Sequence, residues 1–359
     1  MTTTVEYRKP ESKITSNSER AVRWVTVLLF FLAFLYPMMD GRGFVLSLGA
    51  NTLINATLAL SLTIAYGYGG MISLAQVGFG ALAAYLVVLG QQQGLNLILL
   101  FVLSALLCAA VATLLGLPVV RLSGVYFLTA TFAFTELLRL LALNWTSVTG
   151  GSLGPVIQYE GLTRLPGAEW MGSFMKPEAG DYVVSCLLFG GGSLFVWLYA
   201  RSRSGRNLMS LRDNEDVATA LGVNAVRERV VAFALSAMIA AVSGVYLAYY
   251  NGIIDPMAMS MHNSIDILII AIVGGLYAIR GALVGAVVVT VVPEILQISL
   301  ELRPILFGLL LIIFAVKLRL GIVGELGRLR RRLQRRRSDL RLTTSNSGEA
   351  VHNGSTEDE

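Results

Sequence analysis

Residues 95–119 read LNLILLFVLSALLCAAVATLLGLPV, twenty-five positions without a charge. A straight helix needs roughly 20 apolar residues to cross the hydrocarbon core of a bilayer. Similar runs lie on either side, at about 22–39, 44–66, 69–90, 122–143, 182–200, 226–250, 264–279, 281–300 and 302–320. Glycine and polar residues interrupt the runs at 69–90 and 264–279, so either is a candidate for a broken or re-entrant helix. The count is eight to ten, with ten preferred. Across all 359 residues, 55% are hydrophobic and 14% charged, against about 25% charged in soluble domains. That balance excludes a soluble globular protein and a disordered one. No ten-residue alternating strands of a membrane barrel stand out. The fold class is all-α, a polytopic membrane helical bundle.

The basic residues test the count. Residues 1–23 hold five, 201–229 hold six and 317–341 hold ten. The long stretch 144–181 holds only Arg164 and Lys176, against four acids. By the positive-inside rule the three basic regions are cytoplasmic and 144–181 is external. Ten spans satisfy all four assignments. The organisation expected is a cytoplasmic segment at 1–21, a membrane domain at 22–320 and a basic, then disordered, cytoplasmic tail at 321–359. The polar lead of about 20 residues and the lack of an A-x-A-like site argue against a cleaved signal peptide.

Several chemistries are missing from the sequence. There is no G-x-x-x-x-G-K-[ST], and none of the four lysines follows a glycine, so the phosphate-cradling loop of a nucleotide-binding chain is not there. Cys108 and Cys186 sit in apolar runs, and His262 and His352 lie far apart, which gives no zinc spacing and no nucleophile–histidine set. Intramembrane ionisable residues are few: Glu136, Arg139, Asp266, Glu294, Glu301 and Arg303. Each is costly in lipid and needs a reason. Glu136 and Arg139 are three apart on one helix face and can neutralise each other, or they stand in a substrate path. Asp266 falls near an outer end. Glu294 follows Pro293 and can cap a broken segment. No carboxylate relay suggests proton coupling.

RSRSGRNLMSLRDNEDVATALGVN, from Arg201, is a charged, helix-competent segment between spans. Asp213 is the expected N-cap of a short helix, with Glu215 and Asp216 in its first turn and Gly222 past its end. Leu208, Leu211, Ala218 and Leu221 supply one apolar face. An interfacial amphipathic helix is the plain alternative, but such helices carry larger anchors. A small apolar face with charged flanks suits a groove on a protein partner.

At this point the chain resembles the branched-chain amino-acid ABC-transporter permease family, of the LivM type. The matching stretches are GYGGMISLAQVGFGALAAY (67–85), RLSGVYFLTATFAFTELLR (121–139), TGGSLG (149–154), RSGRNLMSLRDNEDVATALGVN (203–224) and IVGGLYAIRGALVGAVVVTVVPEIL (272–296). Departures are Gln76, where many relatives carry histidine, and Tyr277 to Arg280, where a small-residue–Trp pattern is common. The resemblance implies a permease subunit of an ATP-driven importer with a larger, type-II-like helical bundle. It implies a homologous permease, two ABC ATPase subunits and an external solute-binding protein as partners, in a lipid bilayer, with no nucleic acid. ATP would be used by the partner subunits, and this chain would bind no cofactor and no metal. The loop at 206–224 would be the coupling helix, involving Arg206, Arg212, Asp213, Glu215, Ala218 and Gly222.

Two glycine clusters admit two readings. Gly67, Gly69, Gly70, Gly78 and Gly80 crowd one segment, and Gly274, Gly275, Gly281 and Gly285 another. Small residues let membrane helices approach closely, and Gly281/Gly285 form a G-x-x-x-G. The other reading is unwound backbone lining a translocation path. On it, Gly69, Gly70, Gly274 and Gly275 line the path, while Ser73 and Gln76 offer hydrogen bonds to a polar solute. Aligning 69–81 on 274–286 gives four identities in thirteen, which the Gly/Ala content explains by chance. The expected function is an importer permease for branched-chain amino acids or a relative such as urea or a short amide. The rivals are a stand-alone secondary transporter or channel, weakened by the missing relay, and a membrane enzyme, weakened by the missing catalytic set.

Overall fold

A computed structural model describes residues 43–155 and 177–295, with the single positions 308, 321 and 325. Every regular element among them is helical. Apart from turns of three or four residues, in chain order they are α1 (Gly43–Leu62), α2 (Ala75–Gln92), α3 (Leu97–Val119), α4 (Val125–Asn144), α5 (Pro177–Arg201), α6 (Arg203–Asp213), α7 (Glu215–Ala220), α8 (Ala225–Asn251), α9 (Met261–Gly274) and α10 (Ile279–Ala286). α1 widens into a π-helical stretch at Thr63–Tyr68, and α10 does so at Val287–Val291 before a last turn at Val292–Ile295 that carries Glu294.

Five of these helices are long and apolar enough to cross a membrane: α1 with its extension, α3, α4, α5 and α8. α9 and α10 pass the same test only together, bent by 117°. The expected spans at 22–39 and 302–320, residues 296–300, Glu301, Arg303, most of 144–181 and both terminal segments lie outside the described residues. Both runs that glycine and polar residues interrupt are broken helices. The run at 69–90 is helical only from Ala75. The run at 264–279 ends at Gly274, where Gly275 takes φ +112°, a conformation that side chains rarely tolerate. α9 has 14 residues, about 21 Å at 1.5 Å per residue, which is short of a full crossing. The glycines of this bend serve packing: a Cβ on Gly274 would fall 1.8 Å from the Gly281 carbonyl oxygen, and one on Gly285 would fall 1.9 Å from that of Ile270.

α8 is the axis of the bundle, packed against α3, α2 and α1. Phe233 on α8 meets Phe79 of α2 and Phe127 of α4, with ring centroids 5.5 and 5.8 Å apart. Buried hydroxyls tie the same helices. Ser236 Oγ donates to Ser61 O at 2.8 Å and accepts from Gln76 Nε2 at 2.9 Å, while Ser243 Oγ donates to Ile54 O at 2.8 Å. In a bilayer such bonds replace the hydrophobic drive between helices. Gly80 and Gly244 allow α2 and α8 to cross backbone on backbone. α3, α4 and α5 form an outer layer with Leu106, Leu114, Leu137 and Leu187 exposed.

Helix direction sorts the connections into two ends. Tyr250 Oη donates to Ser47 O at 3.0 Å, and Ile254 N donates to Pro155 O at 3.4 Å, so the start of α1, the end of α8 and residues 149–155 share one end. α6, α7, the end of α1 and the α9–α10 bend share the other, because Arg212 reaches the last two. Residues 144–155 and 203–224 therefore stand at opposite ends of the described helices.

Candidate functional site

The loop at 203–224 folds as two short helices, α6 and α7. Ser202 caps α6, its Oγ accepting from Gly205 N at 3.1 Å. α7 is capped by Asn214, whose Oδ1 accepts from Val217 N at 3.1 Å. The expected cap, Asp213, is instead the last residue of α6, and its carboxylate accepts from Arg212 Nε and Nη2 at 3.1 and 2.7 Å. The reason is backbone: Asn214 is the residue that leaves the helical region, at φ −160° and ψ 107°, and only such a residue can turn its side chain onto the next helix's free N–H groups. Glu215 and Asp216 occupy the first turn of α7 as the spacing predicts. Past its end, Gly222 sits at φ +87°. Gly222 N donates to Thr219 O and Val223 N to Ala218 O, at 2.9 and 3.1 Å, the paired bonds of a glycine-terminated helix.

The apolar residues of the loop divide. Leu208, Leu211 and Ala218 are buried against the bundle, but Leu221 is 80% exposed and Val217 is 56% exposed. Leu221 thus leaves the single face expected of it, because the turn at Asn214 rotates α7 relative to α6. The loop is anchored to the base of α8 at two points. Glu228 accepts from Ser204 Oγ and from Asn207 Nδ2, the latter at 3.0 Å. Arg229 donates to both oxygens of Glu215 at 3.0 and 2.7 Å. Arg206 is exposed and donates to the Arg201 carbonyl.

Arg212 points inward. Its Nη1 donates to Gly67 O at 2.6 Å, its stem lies along Gly70, and its guanidinium stands 4.9 Å from the Tyr277 ring centroid. The end of α1, just before the first interrupted segment (69–74), meets the second (275–278) directly: a Cβ on Gly67 would fall 2.1 Å from Leu276 O. Leu208 of α6 lies next to Gly69. Gly69, Gly70, Gly274 and Gly275, named from sequence alone, are thus brought to one region beneath the loop.

Ser73 and Gln76 are each 1% exposed and bond within the protein. Ser73 Oγ accepts from Ala75 N, and Gln76 bonds Ser236, while Gln76 Oε1 has no hydrogen-bond partner. Glu136 and Arg139 form the expected pair, with Nε 2.9 and 3.0 Å from the two carboxylate oxygens. They lie partly exposed on α4, apart from the loop. Asp266 faces His262 one turn earlier on α9, at 3.5 Å. Sequence reading missed Arg229 and Ser236 as partners, since their contacts bridge 14 and 160 positions, which no helical period spans.

Residues 44–315 match the family model described as branched-chain amino acid transport system, permease component. The high-affinity branched-chain amino acid transport system permease protein LivM of Salmonella typhimurium is 29% identical over 305 residues, covering 80% of this chain and 72% of that protein. LivH of Escherichia coli K12, from the same kind of system, is 25% identical over 319 residues, covering 82% and 97%. The autoinducer 2 import system permease protein LsrC of Klebsiella pneumoniae is 28% identical over 184 residues, about half of each chain. No solved structure matches significantly. With a family match across most of its length, laid over a bundle of membrane-length helices, the chain belongs to the family of permease components of branched-chain amino acid transport systems.

Proposed function

We propose that this chain is the membrane-spanning permease subunit of an ATP-driven importer for branched-chain amino acids or a related small polar solute. The observation that carries the reading is α7: a short helix tied to α8 through Glu215 and Arg229, with Val217 and Leu221 bare beside Glu215 and Asp216. An apolar knob rimmed by charge, on an end of the molecule outside the apolar bundle, is suited to a groove on a soluble partner. The partner is an ABC ATPase subunit, two per complex, with a homologous permease and an external solute-binding protein completing it. ATP is hydrolysed on the separate chain, since this one lacks a phosphate-cradling loop. Arg206, Arg212, Asp213, Glu215, Ala218 and Gly222 belong to the coupling element. Gly69, Gly70, Ser73, Gln76, Gly274 and Gly275 border the solute path, and Glu136 and Arg139 are a self-neutralising pair beside it. The loop and both termini face the cytoplasm across the inner membrane. Relatives are named for branched-chain amino acids and for autoinducer 2, and we assign the choice of solute to the binding protein.

The test co-expresses the chain with candidate ATPase and homologous permease subunits from the same genome and reconstitutes what co-purifies into liposomes. ATP-dependent uptake of labelled leucine, stimulated by an external solute-binding protein, is the expected result. Uptake by this chain alone without ATP would establish a secondary transporter or channel instead. Labelling of a thiol at position 210 by an impermeant reagent from outside whole spheroplasts would reverse the orientation.

A further inference from the structure

Arg212 stands where α6, the end of α1, Gly70 and the α9–α10 bend converge. Its side chain is only 26% exposed. The guanidinium divides its donors: Nη1 goes to the Gly67 carbonyl at the C-terminal end of α1, while Nε and Nη2 go to Asp213. A cation is favoured at a helix C-terminus, where carbonyls lack intrahelical partners. Asp213 holds the planar fork in register, and the fork's outer face lies toward the Tyr277 ring. A lysine could meet one of these partners but not all three in the same geometry. Beneath the fork, Gly67 and Leu276 leave no space between the end of α1, at the edge of the first break, and the second break. The loop is thus bonded to one break and stacked on the other.

We propose that Arg212 is a positioning residue that clasps the two helix breaks against each other, so that withdrawing α6 releases Gly67 from Leu276. Its consequence for transport rests on reading 203–224 as the coupling loop; the clasp itself rests on the contacts alone. A pull on α6 would then act on both interrupted segments at once, and the Gly-rich backbone there can move without repacking large side chains.

The test uses the full chain, with and without its ATPase partner, in right-side-out and inverted membrane vesicles. A reporter thiol is placed by Leu276→Cys, and a control by Ser210→Cys on the exposed face of α6. The native Cys108 and Cys186 are buried, and a chain without a reporter sets the background. Arg212→Met keeps the stem and removes the fork. It is expected to raise the maleimide labelling rate at position 276 on the order of tenfold, the scale of one charge-assisted hydrogen bond, and to leave position 210 unchanged. Arg212→Lys is expected to fall between, and it stands in if the methionine variant fails to accumulate. Equal labelling at position 276 with and without the guanidinium overturns the clasp, whether or not an ATPase binds. In the complex, Arg212→Met is expected to lower the amount of solute transported per ATP hydrolysed. Raised labelling with unchanged solute per ATP overturns the role in transport while leaving the clasp standing, and failure of the ATPase to associate at all strikes the importer reading alone.

Discussion

Gly244→Ala tests the axis of the bundle. The added methyl would sit 2.2 Å from both Cα and O of Gly80, whereas ordinary contact begins near 3.4 Å. The obstacle is backbone, so no side chain can rotate away, and α2 and α8 must part by about 1.2 Å. One turn along α2 and two along α8, the Gln76–Ser236 hydrogen bond of 2.9 Å would stretch beyond bonding range. Overpacking costs about 1–3 kcal/mol, and the lost bond costs about 1 kcal/mol. Alanine's better helix propensity returns up to about 1 kcal/mol, which leaves a net loss of about 1–3 kcal/mol. Gly191→Ala is the matched control. It lies in α5, and nothing stands within 4 Å of its Cβ position, so only the propensity gain remains. The two substitutions are chemically identical and opposite in sign. Thermal unfolding in detergent, read by a thiol-reactive dye as buried Cys108 and Cys186 emerge, should lower the midpoint for Gly244→Ala and hold or raise it for Gly191→Ala. A Gly244→Ala midpoint at or above that of Gly191→Ala would refute the close-crossing argument.

Glu215→Lys removes the two-bond pair with Arg229 and the acid at the start of α7. With Glu215 about half exposed, the pair is worth about 0.5–1 kcal/mol and the helix-end term about 0.3–1 kcal/mol. Membrane abundance should stay normal while ATPase co-purification and uptake fall, and Glu215→Lys combined with Arg229→Glu should restore part of both; uptake unaffected by the single change would sink the assignment. Gly222→Val meets no atoms within 4 Å, so its cost is backbone alone, of order 1–2 kcal/mol for a left-handed residue. Uptake should drop at normal abundance, with Gly222→Asn milder because asparagine tolerates that conformation; equal uptake by all three chains would count against it. Gly67→Ala should drive the two breaks apart, since its methyl would meet Leu276 O at 2.1 Å; faster maleimide labelling at position 276 is the expected readout, and unchanged labelling would contradict the contact.

The helical membrane class, most helix limits and the position of the loop were legible from residue pattern, because burial in lipid demands long apolar runs and bars charge from them. α3 and α8 fall within a few residues of the runs that announce them, and Glu215, Asp216 and Gly222 take their places by local rules that act over one turn. The cap on α7 was misplaced by one position because Asp213 and Asn214 are equally good caps, and only the backbone bend chooses between them. Leu221 went astray for a related reason, since a helical face cannot be projected through a turn whose angle is unknown. The glycines were ambiguous for a deeper reason: close packing and unwound backbone favour the same residue. Gly281 and Gly285 proved to be packing surface against Gly274 and Ile270, whereas Gly275 ends a helix. What composition and local spacing determined was that this chain lives in a membrane as helices and offers a charged loop at one end. Only the tertiary structure decided that the two Gly-Gly segments, over 200 positions apart, lie together under Arg212, because that meeting depends on helix directions and crossings, which are set by contacts between distant residues.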